Sequence, residues 1–153
     1  ISYGQYIEAG WLLQSCAESF RDKNLIAVSK SNAIRITEAA MEGFDTDGGL
    51  WYELHTKANQ LVKEKHWWPQ AEALVGLCNA WQLSGDTRYK EAMYRNWLFI
   101  KKYIRDPEQG EWYWGIKSDH NPMEDRDKIG FWKCPYHNSR ACMEIIRRLS
   151  PRS

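Results

Sequence analysis

Apolar residues recur at helical intervals in five stretches of the 153-residue chain. Residues 5–21 (QYIEAGWLLQSCAESFR) carry Ile7, Trp11 and Leu12 at helical spacing, with Gly4 as the punctuation before them. In residues 24–44 the set Ile26, Ala33, Ile36, Ala40 and Phe44 suits a second, amphipathic helix, ended by Gly43 and Asp47-Gly48-Gly49. The segment HWWPQAEALVGLCNAWQLSG tolerates Pro69 in a first helical turn and predicts a buried stripe of Leu74, Leu77, Cys78 and Trp81. Ser84-Gly85-Asp86 breaks it. Residues 87–105 place Tyr89, Met93, Trp97, Ile100 and Ile104 three or four apart, and Asp106-Pro107 stops that helix. A last helix is predicted from about Asn138 to Leu149.

Between these helices the pattern changes. Leu50 to Leu54 (LWYEL) reads as a short strand or extended loop, followed by a polar stretch over 55–65. Gly110 to Ile116 (GEWYWGI) alternates like a strand, and the polar run 117–128 contains the turn signal Asn121-Pro122. Long and short loops alternate, which predicts stacked helical hairpins with aromatic loops at one end, an all-α architecture. A 43% hydrophobic content with no long polar tract fits one unit spanning 1–153. Ile1 opens the chain without an initiator Met, which predicts a piece of a longer protein.

Charge narrows the partners. Twenty-one Lys and Arg against twenty Asp and Glu remove the electrostatic argument for nucleic acid or an anionic membrane, so a neutral partner fits better. No apolar run approaches the ~20 residues that span a bilayer. Cys16, Cys78, Cys134 and Cys142 lack CxxC spacing, and the expectation is reduced thiols in a cytoplasm. His55, His66 and His120 match no zinc pattern, and no nucleotide-binding glycine motif occurs, so neither a metal nor a cofactor is expected. Nine Trp exceed what a core of this size requires, and Trp suits both packing and stacking on sugar faces.

Three places hold candidate chemistry. Gln5 and Glu8 lie one helical turn apart and can act on one site, though an acid near a helix start is also favoured by the macrodipole alone. In WWPQAE, Trp68 and Glu72 set an aromatic plane one turn from a carboxylate, a combination that holds neutral sugars; a core Trp with a surface Glu is the plainer alternative. In FWKCPYHNSRA, Trp132 and His137 flank a Pro-containing turn. An imidazole there suits general acid or base work, or else a hydrogen-bonded place in the core.

The blocks SYGQYIEAGWLL, KHWWPQAEALVG, GEWYWGI and WKCPYHNSRACMEI, in this order and spacing, resemble the cellobiose 2-epimerases of the N-acylglucosamine 2-epimerase superfamily. The resemblance covers nearly the whole chain. It implies the carboxy-terminal part of an (α/α)6 barrel that binds a β-linked disaccharide at its mouth without metal or nucleotide. Such enzymes open the reducing-end ring, remove the C2 proton to give an enediolate, and return a proton to the other face. By that resemblance His137 is one catalytic histidine, Glu8 supports the other, and Trp68, Glu72 and Trp132 line the sugar pocket.

Two departures set the expectations. The family's opening motif reads YGHDIEASWLL, so Gln5 stands where the second acid/base histidine belongs. An amide exchanges hydrogen bonds but not protons near neutral pH, which predicts weak or absent epimerisation and favours one-sided chemistry through His137. The amino-terminal half of the barrel, with the family's arginine and a further histidine, is not in this sequence. The uncovered flank predicts self-association or pairing with a complementary amino-terminal half. The rival reading is a catalytically impaired sugar-binding or assembly fragment. A glycosidase would need opposed carboxylates, for which Glu8 and Glu72 are the candidates.

Overall fold

The computed structural model describes residues 1–151. Five α-helices appear among them: α1 (Tyr3–Phe20), α2 (Lys23–Ala40), α3 (Trp67–Ser84), α4 (Thr87–Phe99) and α5 (Tyr136–Leu149). They form hairpins. Helix α1 packs on α2 and α3, and α3 packs on α4 and α5, so α1, α3 and α5 make an inner row backed by α2 and α4. The turns are those the sequence calls for. Gly85 closes α3 in a left-handed conformation at φ 74°, and the Asp86 carboxylate then accepts from Arg88 N–H to start α4.

Helix α3 is the centre. The expected stripe is too narrow, because burial runs nearly all round it and takes in Gln70, Glu72 and Asn79. Trp81, placed on that stripe, is only half-buried. A helix buried on every side must satisfy its polar groups internally. Gln70 does so by bonding both the N–H and the C=O of Leu50 at 2.8 Å, and it also accepts from Asn96 at 3.0 Å. These bonds fix the loop after α2 to the start of α3.

Other boundaries also differ from expectation: α2 gives way to a 3-10 turn at Met41–Gly43, and α4 to a π turn at Ile100–Ile104. Gly4 is inside α1, not before it, and a Cβ there would lie 2.8 Å from the Trp68 ring. The glycine lets that indole lie against the helix. Helix α5 starts at Tyr136, which puts His137 in its first turn.

Four short strands complete the chain: β1 (Glu53–His55), β2 (Gln60–Val62), β3 (Lys65–His66) and β4 (Gly115–Ile116). They pair antiparallel as β1 with β2 and β3 with β4. Strand β2 falls in the stretch read only as polar, and the strand-like reading of 110–116 survives only at Gly115–Ile116. Ser2 bridges to Glu53, and β3 leads straight into α3, so these pairs gather where α1 and α3 begin. No helix of the described residues is long and apolar enough to cross a membrane.

The ends of the arc are apolar. Leu13, Phe20 and Val28 stand exposed on the α1 and α2 side, and Met143 and Ile146 on α5. Helix α5 has no outer helix behind it among the described residues. Light scattering of the full chain is therefore expected to show concentration-dependent species heavier than its 18.1 kDa. Replacing Met143 and Ile146 with Glu should lower that mass; a monomer at every concentration would refute the idea.

Candidate active site

Each inner helix delivers one part of a charged cluster at the loop end. Glu8 comes from the second turn of α1, Glu72 from the second turn of α3, and His137 and Arg140 from the first turns of α5. His137 Nδ1 lies 2.7 Å from Glu72 Oε1 and 4.0 Å from Glu8 Oε1. One Arg140 nitrogen donates to both acids, at 2.7 Å to Glu8 and 2.6 Å to Glu72. The second oxygen of Glu72 accepts from the Trp11 indole N–H at 2.9 Å.

Burial decides the roles open to these groups. The Glu72 side chain is 1% exposed, whereas the His137 side chain is 23% exposed. Both Glu72 oxygens are committed to donors, so this acid faces the imidazole and the guanidinium instead of an open sugar wall. A carboxylate accepting from Nδ1–H leaves the ring lone pair on Nε2. The imidazole is thus held at Nδ1.

Arg140 lies over two rings, with its guanidinium carbon 5.0 Å from the Trp11 centroid and 4.4 Å from that of Tyr136, whose hydroxyl it also bonds. Burial opposes its charge, but the bonds to Glu72 and Glu8 outweigh burial and hold it above the ordinary arginine range. Glu8, Glu72 and His137 offer donor atoms within 4.8 Å of one another. The Arg140 guanidinium is bonded to both of these acids. Two acids sharing one arginine nitrogen are also unlike the opposed, separated carboxylates of a glycosidase.

The remaining expected residues divide. Trp68 lies beside the cluster, its ring centroid 5.7 Å from that of His137. Gln5 is exposed one turn before Glu8, and its side chain makes no hydrogen bond among the described residues. Trp132 is not brought to the imidazole: it is 80% exposed in a tight turn where Gly130 bridges Lys133, and its ring meets Phe131 edge-on at 5.0 Å. Sequence reasoning missed Arg140 and the Trp11 indole. Arg140 had a signal, since it follows His137 by three residues on a helix and shares its face.

The other histidines pair with acids outside the cluster: His55 with Glu53, His66 with Glu64, and His120 with Asp47.

Helical hairpins whose inner helices all begin at one mouth, where the charged groups converge, define an arc of an (α/α)6 barrel. Comparison with known proteins narrows that class. The sequence profile described as N-acylglucosamine 2-epimerase (GlcNAc 2-epimerase) matches residues 2–141, and the chain belongs to that family.

The cellobiose 2-epimerase of Bacteroides fragilis is 41% identical over 146 residues, covering 95% of this chain and 37% of that protein. The structure of a sugar epimerase from a ruminal bacterium matches with a TM-score of 0.92 at 38% identity, covering 99% of this chain and 39% of the other. That of cellobiose 2-epimerase from Spirochaeta thermophila matches with a TM-score of 0.88 at 37% identity, covering 97% and 37%. The chain therefore spans under two-fifths of the length of these relatives and is the size of their carboxy-terminal part.

Proposed function

We propose that this site moves the proton on C2 of the reducing-end glucose of a β-linked disaccharide such as cellobiose, with His137 as general base and acid. The observation that carries the reading is the 2.7 Å contact of His137 Nδ1 with buried Glu72, which holds a partly exposed ring at one nitrogen. The bond that breaks is C2–H, activated by the neighbouring aldehyde once the sugar ring opens. The electrons pass into an enediolate and the proton to Nε2. Trp68 offers an aromatic face beside that ring.

Returning the proton to the same face restores glucose, and returning it at C1 gives the ketose. Inversion to mannose needs a donor on the opposite face. Gln5 occupies the corresponding end of α1 and cannot supply a proton. A second reading, a sugar-binding or assembly fragment with impaired catalysis, rests on this residue. In the same proposal the apolar flanks are covered in the working protein, by a complementary amino-terminal half or a second copy.

NMR of cellobiose in D2O with the full chain tests both readings. The expected result is deuterium at C2 with little mannose-type product, and a gain of about 10²-fold in that product for Gln5→His. Line broadening without deuterium incorporation would leave only the binding reading. Full epimerisation insensitive to Gln5→His would overturn the role given to position 5.

A further inference from the structure

We infer that Arg140 is a positioning residue for His137: it draws Glu8 and Glu72 onto one guanidinium and supplies the positive charge that lets the imidazole beside them act as a base. The inference rests on the proton-transfer reading above and deepens it.

Every charged group facing the ring takes part. From α1 comes Glu8 at 4.0 Å, from α3 Glu72 at 2.7 Å, and from α5 Arg140, bonded to both; the neutral neighbours are the rings of Trp68 and Tyr136. With Arg140 present, the imidazole faces two negative charges and one positive charge. Without it, both negative charges remain in a poorly hydrated setting, and the ring offsets them best by holding a proton. A ring that keeps its proton accepts none from C2.

Stability alone does not account for this arginine. Its Nε–H is buried without a hydrogen-bond partner among the described residues, a cost a purely structural group tends to avoid. Its NH groups instead point where the two acids and the Tyr136 hydroxyl converge. The guanidinium also lies over the rings of Trp11 and Tyr136.

The test compares R140M and R140K with the unsubstituted full chain. Methionine keeps an apolar stem and removes the charge, while lysine keeps the charge and loses the fork. The first readout is the pH titration of the His137 ring by NMR, which needs no activity. Its midpoint is expected to move up by about 1–3 pH units in R140M and to stay near that of the unsubstituted chain in R140K. The second is the pH profile of C2 deuterium exchange, whose acid limb should move with the midpoint in R140M.

If R140M does not fold, R140Q carries the same comparison. A midpoint unmoved in the charge-free variant, or moved as far in R140K, overturns the inference. A loss of exchange equal at every pH does so too. If the unsubstituted chain exchanges no deuterium but the R140M midpoint still rises, the charge clamp stands and the catalytic reading falls.

Discussion

Replacing Lys133 with Met is expected to remove about 3–5 kcal/mol of stability, the cost of breaking a buried ion pair from one side. The Lys133 side chain is 0% exposed, and its Nζ bonds Glu111 at 3.0 Å, the Trp112 carbonyl at 2.9 Å and the Lys128 carbonyl at 2.6 Å. Burial pushes this ammonium below the ordinary lysine range, against the pull of Glu111. Methionine fills the space but leaves Glu111 without its cation and two carbonyls without their donor.

The damage should reach the site, because Glu111 also accepts from Asn138, the residue after His137, at 2.8 Å. A thermal midpoint lower by roughly 10 °C is the expected measurement. The exposed pair of Lys30 and Glu18, 43% and 52% exposed, is the control, where Lys30→Met should cost about 0–1 kcal/mol. Equal losses in the two variants would remove Lys133 from its place as anchor of the turn before α5.

Lys133 also shows why the sequence yields some features and hides others. The helices were legible because apolar spacing is a local property, and hydrophobic burial acts on it wherever the tertiary partner lies. Gly85-Asp86 was legible for the same reason, since a left-handed cap and a side-chain cap are decided within a few residues. Gly4 was misread. Its requirement comes from Trp68, sixty-four positions away, and nothing near it says that an indole will cross there.

The site divides on the same line. A family resemblance carried by local motifs points to His137, Glu8 and Trp68, and the fold places these three beside one another. Arg140 was passed over because a basic residue near the start of a short helix reads as a solvated charge until two acids from other helices are known to face it. Glu72 was placed on the sugar wall because the spacing in WWPQAE shows an acid one turn from an indole. Spacing does not show that Trp11, His137 and Arg140 already occupy both of its oxygens.

That occupancy sets the other large effect. Glu72→Gln is expected to lower C2 deuterium exchange by about 10²–10⁴-fold and stability by about 3 kcal/mol. The carboxylate now accepts on both oxygens, from the Trp11 indole on one side and from His137 and Arg140 on the other. An amide has one acceptor oxygen and an NH2 group. Whichever way it turns, either the indole N–H or the imidazole and guanidinium meet another donor in a buried space. In the orientation that keeps the indole bond, the imidazole loses the partner that fixes its tautomer, and Arg140 keeps Glu8 and the Tyr136 hydroxyl.

Glu72→Asp separates geometry from charge, because it retains the negative charge on a stem shorter by one methylene. It should recover part of the stability and little of the exchange. Should Glu72→Gln remain folded and exchange within about threefold of the unsubstituted chain, Glu72 does not orient His137. The base would then have to act without a fixed tautomer.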